Sequence, residues 1–480
     1  MTPSLMNLAS PSSPARTGRP LRAAAARRAS QALRSGAPLG MPRDAWAADA
    51  LACALDLLLT HRGRPTALVD AVLARYPDHV DAHRIRAGLI VAGGNLTARA
   101  ELAASLAVIA TARPDAAHAD RRHAAAAEAW LQGCPDRSLD GYGALIIEQP
   151  HDLLALLVAH ALDFRLGRRR MLRDRVAQVL PAWRAGMPGH ASVLAMYAFG
   201  LAENHELRRA ESVARRALAV DATHPGAVHV VAHVMDMQGR SAEGLAFMQS
   251  HEEACLAPTG FGVHLDWHRA LFHLDLDDAA AALAVYDRRA ADPTSIGASV
   301  LADASALLWR LSLDGIDVGG RWRELADRWQ QQRLAGAGMF VATHAMMAFA
   351  ATGRADAAAR VLEDLRSDAA HRLHPEGQLA APLCDALMAF GAGRYDACAR
   401  LLGAVRDIAH RCGGSLAQCD VVQRTHTEAA LRAGDTPLAR ALVAERAAQR
   451  PASRHTRRLR RRLRRLSAPH ASASITSSRP

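Results

Sequence analysis

The chain has 480 residues, of which 50% are hydrophobic, 22% are charged and only 4% are aromatic. This hydrophobic fraction is sufficient for a substantial core, which excludes a protein that is disordered throughout. All 59 basic residues are arginine and the formal net charge is +12. A charge of this size indicates a polyanionic partner only if it is spread over the folded part of the chain.

The charge is concentrated near the two ends of the sequence. Residues 1–43 contain seven arginines and no acidic residue, and residues 450–480 contain ten arginines and no acidic residue. Residues 44–449 hold the other 42 arginines and all 47 acidic residues, a net charge of −5. We therefore predict a disordered Arg/Pro/Ser/Ala-rich extension over 1–43, a folded domain over 44–449 and a disordered Arg-rich tail over 450–480.

The beginning of the sequence is not typical of a secretory signal, because the first 40 residues lack an apolar stretch of about 7–15 residues. Their Arg- and Ser-rich composition also suits an organelle transit peptide, and this alternative stays open. Apolar runs such as 153–159 are far shorter than the roughly 18 residues of a membrane helix. Seven cysteines without a C-x-x-C pair indicate thiols in a reducing compartment, so we expect a cytoplasmic protein without a transmembrane segment.

From 44 to 449 the pattern is helix, short turn, helix, repeated along the chain. Alanine and leucine dominate, and no stretch alternates with the period of a strand. Each segment that fits this frame has a small residue in a first helix, then a turn, and then a small residue in a second helix. The segments are 195–225, 230–248, 267–286, 347–362, 388–402 and 426–443.

The small residues give the period of the repeat. They are Ala210, Gly244 and Ala282 in the second helices, and Ala198, Ala232 and Ala270 in the first helices. The second-helix residues are 34 and 38 positions apart, and each lies 12 positions after its first-helix partner. The tetratricopeptide unit has about 34 residues, with small residues where its two helices cross. The fold predicted is all-α, a tetratricopeptide-like α-solenoid whose first helices line a concave groove.

Several segments also resemble one family in the same order along the chain. They are 153–183, 227–252, 264–287, 311–322, 381–390 and 413–423, and together they resemble the tetratricopeptide repeat protein 38 family. The resemblance implies an all-helical repeat fold over roughly 44–450, and it implies no particular reaction. Where this family has an arginine before the acid near 420, the chain has Cys419.

Histidines are the strongest candidates for chemistry. His229 and His233 are one helical turn apart and share a face, and the next first helix brings His264, Trp267 and His268. We expect these residues to line the groove together with His160 from an earlier unit. Imidazoles bind zinc, copper, iron and nickel and can also transfer protons near neutral pH. The H-E-x-x-H signature is missing because Val230 follows His229, so metal binding at His229 and His233 is the minor alternative and no cofactor is expected.

Two other features suggest weaker sites. Gly413, Gly414 and Ser415 precede a predicted helix, where they act as turn and N-cap and could also hold an anion. Cys412 and Cys419 could contribute to a metal site, but their spacing does not support zinc. The stretch 454–466 repeats leucine at 459, 463 and 466 within arginines, which is typical of a helix that binds nucleic acid or an anionic surface.

Three functional hypotheses follow. The first is a non-catalytic binding or scaffold module whose His/Trp-lined groove takes a peptide segment or a small molecule. The second is an enzyme that uses His229, His233, His264 and His268 as acid–base groups, with or without a divalent metal. The third is a scaffold that docks on nucleic acid or another polyanion through its basic ends.

Overall fold

The computed structural model describes residues 43–94, 98–111, 118–257, 259–290, 297–335, 338–372 and 376–467. The predicted N-terminal extension, apart from Arg43, and the end of the predicted tail after 467 lie outside the described residues. Every regular element within these ranges is helical.

The helices are α1 (Arg43–Leu59), α2 (Pro65–Arg75), α3 (Val80–Gly93), α4 (Arg99–Thr111), α5 (His118–Leu131), α6 (Pro135–Glu148), α7 (Leu153–Arg165), α8 (Arg169–Val179), α9 (His190–Glu203), α10 (Leu207–Val220), α11 (Pro225–Gln238), α12 (Ser241–Ser250), α13 (Glu252–Cys255), α14 (Gly260–Asp275), α15 (Ala279–Val285), α16 (Ala298–Leu313), α17 (Arg321–Gln330), α18 (Met339–Thr352), α19 (Ala355–Arg372), α20 (Glu376–Gly391), α21 (Tyr395–Val405), α22 (Leu416–Arg432), α23 (Thr436–Gln449) and α24 (Arg454–Ser467). Short 3₁₀ turns cover Leu180–Ala182 and Ala409–Cys412, and a π turn covers Tyr286–Ala290.

Consecutive helices joined by short turns pack in pairs, and the first helix of each pair packs on the first helix of the next. The row of first helices runs through α9, α11, α14, α16, α18 and α20. The predicted α-solenoid of stacked helix pairs is confirmed.

The small residues that give the repeat its period lie where helices cross. The five alanines named for this pattern are all completely buried. A Cβ atom added at Gly244 would lie 2.5 Å from the ring of Phe272, so α12 and α14 come together here only because residue 244 has no side chain. Close helix packing is therefore the physical reason for the pattern.

The array also closes on itself, which nearest-neighbour stacking does not predict. Helix α22 packs on α16 and α11, far from its neighbours in sequence. Trp309 Nε1 donates to Thr425 Oγ1 at 2.9 Å, and Arg310 Nη2 donates to the Ala417 carbonyl at 2.7 Å. In a second long-range contact, Arg62 in the turn after α1 donates from Nη2 to the Thr223 carbonyl before α11 at 2.5 Å.

The predicted boundary at 450 is wrong for residues 450–467, because this segment is folded onto the array. Leu459 and Leu463 pack into a buried cluster with α22 and α23. Arg450 pairs with Asp236 at 2.9 Å, and Asp275 accepts hydrogen bonds from Ser453 Oγ and from the backbone of the next turn. The leucine stripe supplies an apolar face and the arginines find acidic partners on the acidic body, so the segment is a docked helix rather than a tail.

Within the described ranges, each helix is too short or too polar to cross a lipid bilayer.

The docking of α24 predicts the effect of truncation. A chain that ends at 449 leaves Asp236 and Asp275 without their partners and exposes the apolar surface beneath Leu459 and Leu463. Because breaking a buried ion pair alone costs about 3–5 kcal/mol, we expect the free energy of unfolding to fall by at least about 3 kcal/mol. A chain that ends at 467 is the matched control and keeps its midpoint in thermal unfolding followed by circular dichroism. Equal midpoints for the two truncations would contradict the docking.

Gly200 in α9 gives a second prediction, because an added Cβ would lie 2.4 Å from the Leu172 carbonyl oxygen and 2.5 Å from the Arg173 nitrogen in α8. These are backbone atoms that cannot move alone, so we expect Gly200→Ala to destabilise the protein by about 1–3 kcal/mol in urea unfolding. Gly93→Ala is the control, since nothing lies within 4 Å of its added Cβ. It should be neutral or stabilising by up to about 1 kcal/mol.

Candidate functional site

A large cavity of ≈ 1210 Å³ lies along the row of first helices. Its wall carries aromatic rings, imidazoles, guanidinium groups and one carboxylate. These side chains are Trp130, Phe164, Phe199, Phe261 and Phe340; His61, His160, His224, His229 and His264; Arg165, Arg333 and Arg411; and Asp303. Several of them lie on the first helices α9, α11, α14, α16 and α18.

Segments of the same chain border this cavity, where the sequence predicts a concave groove. On one side the turn at 410–414 packs on α7 and α8, where an added Cβ at Gly167 would lie 2.5 Å from the His410 carbonyl oxygen. On another side His61, in the turn after α1, stacks on Phe261 with ring centroids 4.1 Å apart and planes 13° apart. The cavity, called the chamber below, is therefore bounded on these two sides by the protein's own chain.

Four histidines from two adjacent first helices form one cluster beside the cavity. His229 and His233 come from α11, and His264 and His268 come from α14. The Nε2 atom of His229 lies 2.9 Å from that of His233 and 3.0 Å from that of His264. One ring nitrogen from each of the four residues lies within 4.8 Å of the others. The i, i+4 spacing in each helix aligns each pair on one face, and stacking of the two helices brings the pairs together.

Two carboxylates lie behind the cluster. Asp303 in α16 accepts a hydrogen bond from His264 Nδ1 at 2.8 Å, and its other oxygen accepts one from Gln418 Nε2 at 3.2 Å. Glu203 at the end of α9 lies 3.9 Å from His233 Nδ1. Because Asp303 accepts a hydrogen bond from Nδ1, the His264 ring is held with its Nε2 atom facing the cluster.

Burial keeps three of the four imidazoles of the cluster neutral. Burial, and then the charge of His264, lowers the pKa of His233 to about 3. Burial, and then the charge of His233, lowers the pKa values of His229 and His268 well below the usual value. At pH 7 these three rings therefore carry lone pairs and are suited to bind a cation rather than an anion.

The cluster also holds polar atoms that have no partner among the described residues. Both ring nitrogens of His268 and the Nδ1 atom of His233 are buried without a hydrogen bond. Buried polar atoms in folded proteins are usually hydrogen-bonded, so these three nitrogens remain available to bind an ion, a ligand or water.

The structure corrects the predicted positions of three residues. His233 and His268 are completely buried and Trp267 is 3% exposed, so none of them lines the cavity as the sequence predicts. Trp267 stacks on His264 and closes the cluster on its inner side. These three residues face the core because their helices, α11 and α14, pack on each other and α14 packs on α16.

His160 lines the cavity but does not join the cluster. Its ring contacts Phe199, which in turn stacks on His229 with centroids 5.6 Å apart. Phe199 therefore separates His160 from the four histidines. Burial, and then the charge of His61, lowers the pKa of His160 to about 3.

The turn at Gly413, Gly414 and Ser415 also borders the cavity, and its anion-binding position is filled from within the protein. Ser415 forms a capping box with Gln418 at the start of α22. The Leu416 N–H donates to the carboxylate of Glu203 at 3.0 and 3.1 Å. Burial raises the pKa of Glu203 to about 7, and this backbone N–H and the guanidinium of Arg169 partly oppose the rise.

Two arginines point into the cavity near this turn. Arg165 Nε donates to the Ala92 carbonyl at 2.9 Å, and Arg411 lines the same wall. No carboxylate in the described part of the chain pairs with either residue within 4 Å. The side chain of Arg165 is solvent-accessible because it borders the cavity. Its burial within the protein still lowers the pKa of the guanidinium group.

Among the described residues, Cys412 and Cys419 do not belong to a group of side chains that could hold a metal ion. Cys412 Sγ lies 3.6 Å from Thr343 Oγ1, and Cys419 donates to the Gly413 carbonyl at 3.3 Å. The family that the sequence resembles has an arginine where this chain has Cys419. Arg169 of α8 donates to the Cys419 sulfur at 3.5 Å, so a guanidinium group from another helix lies beside this position. Burial raises the pKa of the Cys419 thiol to about 11.

Comparison with known proteins adds little to this description. No family model matches the chain, so the resemblance to the tetratricopeptide repeat protein 38 family stays a prediction. A chain in the structure of Naa15/Naa10 bound to HypK-THB is similar over 89% of this chain and 69% of its own length, with 13% sequence identity and a TM-score of 0.26. A similarity at this level carries no argument, and the fold is established by the helices themselves.

Sequence reasoning missed the residues that join the cluster to the rest of the cavity. They are His61, Arg165, Phe199, Glu203, Phe261, Asp303 and Arg411. Asp303 is the one that carried a local signal, because an acidic residue in the apolar helix 298–313 requires a buried partner. The others come from segments distant in sequence and share no pattern with the histidines.

Proposed function

We propose that the protein binds a small organic anion in the central cavity. The observation that carries this proposal is a bounded chamber of ≈ 1210 Å³ with apolar and aromatic walls and a few polar groups that converge on it. Such a chamber is typical of small-molecule sites, which are concave, mostly apolar and largely preformed.

The apolar body of the ligand would lie against the aromatic walls. Phe199, Phe261 and Phe340 border the cavity from α9, α14 and α18. Because these rings are fixed by stacked helices, little ordering is required on binding, and dispersion contacts contribute directly to affinity.

The anionic group would pair with Arg165 and Arg411. Guanidinium groups bind carboxylate and phosphate oxygens through paired hydrogen bonds, and these two lack a carboxylate partner among the described residues. The neutral imidazoles of His61 and His160 can donate further hydrogen bonds from the opposite wall.

A small molecule is favoured over a peptide segment because the protein's own chain occupies part of the concave side. The side chains of Trp309 and Arg310 bond to α22 rather than to an incoming strand. Trp309 and Arg310 are themselves buried, and Gln418 of α22 borders the cavity, so α22 occupies part of the concave side that an extended peptide would need. A protein partner, as the scaffold hypothesis requires, would then bind on surfaces outside the cavity.

The other hypotheses stay predictions. A catalytic role for the histidines is compatible with His229 and His264 on the cavity wall. Polyanion binding is compatible with the arginines of α24 that are exposed and have no carboxylate partner among the described residues, namely 454, 457, 460, 461, 464 and 465. Membership of the tetratricopeptide repeat protein 38 family would add no reaction to these proposals.

The arginines can be tested with 1-anilinonaphthalene-8-sulfonate, a fluorescent probe that combines an aromatic body with an anionic group. We expect one molecule to bind per folded chain, and we expect Arg165→Gln and Arg411→Gln each to weaken binding about tenfold or more. A hydrogen bond to a charged group contributes roughly 1.5–3 kcal/mol. Arg170→Gln, an exposed arginine of α8 outside the cavity wall, is the matched control and should leave the affinity unchanged.

A second variant tests the chamber itself. Ser299 borders the cavity with an exposed side chain, so Ser299→Trp should fill space there, abolish probe binding and leave the thermal midpoint unchanged. Fluorescence titration and circular dichroism measure the two effects. If Ser299→Trp binds the probe as the unmodified protein does, the ligand site lies elsewhere and the proposal fails.

A further inference from the structure

The cluster formed by His229, His233, His264 and His268 has a chemistry that a small organic anion does not explain. Ring nitrogens of four imidazoles converge on one point, and two of the four rings are completely buried behind the cavity wall. Lone pairs that face one another repel unless a proton or a cation lies between them.

We propose that these four histidines bind one divalent transition-metal ion, with Zn²⁺ as the ion that fits the ligand set. Imidazole nitrogen is a preferred ligand of Zn²⁺, and four protein ligands in a tetrahedron are its usual structural coordination. The proposal concerns a site separate from the arginines and holds whether or not an organic molecule binds in the cavity.

The spacing of the nitrogens is close to that of a tetrahedral site. Zn–N bonds of about 2.0–2.1 Å place two ligand nitrogens about 3.3 Å apart. The Nε2 atoms of His229, His233 and His264 are already 2.9–3.0 Å apart along the two measured pairs. All four nitrogens lie within 4.8 Å of one another, so ring shifts of up to about an ångström would bring them to tetrahedral spacing.

Protons alone do not satisfy the cluster. The Nε2 atom of His229 faces the Nε2 atoms of both His233 and His264, at 2.9 and 3.0 Å. A ring nitrogen has one N–H or one lone pair, so it cannot form a full hydrogen bond with both neighbours. Among the described residues, neither nitrogen of His268 has a partner, and His233 Nδ1 has none. A metal ion at the centre would satisfy one nitrogen of each ring at once.

Carboxylates lie beside the four histidines in the way that carboxylates lie beside the histidine ligands of known metal sites. Metal-binding histidines usually donate their other N–H to a carboxylate or a carbonyl, which fixes the ring and strengthens the ligand. Asp303 has this role toward His264, and Gln418 holds Asp303 in turn. Glu203, 3.9 Å from His233 Nδ1, adds a second carboxylate near the ion.

The first experiment uses the unmodified full chain, without an affinity tag, after treatment with EDTA and transfer to metal-free buffer. Co²⁺ is added as the spectroscopic probe. We expect the visible absorption of tetrahedral Co²⁺ to rise to an endpoint at one equivalent, and one equivalent of Zn²⁺ to remove it. We also expect Zn²⁺ to raise the thermal midpoint, because a ligand that binds only the folded state stabilises it.

Variants then locate the ion. His264→Ala should abolish the tetrahedral Co²⁺ absorption, and Asp303→Asn should weaken Zn²⁺ binding about 10- to 100-fold while it keeps all four ligands. His344→Ala is the matched control, since His344 is a buried histidine of α18 that bonds to the Phe340 carbonyl and lies outside the cluster. It should bind Co²⁺ as the unmodified chain does. Circular dichroism of each variant confirms that it is folded.

Two results would overturn the proposal. If the unmodified chain gives no tetrahedral absorption and Zn²⁺ does not raise its thermal midpoint, the histidines form only a hydrogen-bonded core. If folded His264→Ala binds Co²⁺ with the same absorption as His344→Ala, the ion lies elsewhere. The measurement on the unmodified chain decides the question even if a variant does not fold, and loss of probe binding at the arginines leaves it unaffected.

Discussion

The insertion of α22 into the concave side of the array is the contact on which the rest of the structure depends. This one helix receives hydrogen bonds from Trp309 and Arg310 of α16. Its first turn carries Gln418, which holds Asp303, and its first N–H binds the carboxylate of Glu203. A repeat array with contacts only between neighbours is an open, quasi-one-dimensional structure. Here a long-range contact converts it into a bounded one with an interior.

Charge pairing explains how the C-terminal part of the chain holds this position. Asp420 of α22 pairs with Arg446 of α23 at 2.5 Å, and Arg450 reaches both Asp236 and Asp420. The buried guanidinium charges keep the pKa of Asp420 well below its usual value although burial acts in the opposite sense. Arginine suits this role because its planar group offers five donors and can satisfy two acceptors at once. Part of the positive charge near the end of the sequence thus neutralises the acidic body instead of serving a partner.

The candidate site combines two surroundings that differ in polarity. On the cavity wall, His229 and His264 meet aromatic rings and a chamber large enough for an organic molecule. Behind the wall, His233 and His268 are completely buried with unpaired nitrogens. The same four imidazoles therefore reach from the cavity wall into the buried interior of the array. A cation held by them and an anion held near Arg165 would occupy separate sites.

The sequence by itself determined the helical repeat, its period of about 34 residues and the pairing of His229 with His233 on one helix face. These are local properties, because small residues at crossings and i, i+4 spacing act within one or two helices. Tertiary structure alone decided that Asp303, 39 residues after His264, would bond to it, that Trp267 would face the core, and that residues 450–467 would dock. Those outcomes depend on how far the array curves before α22 closes it. Curvature accumulates from small rotations between many helices, and no single motif in the sequence encodes it.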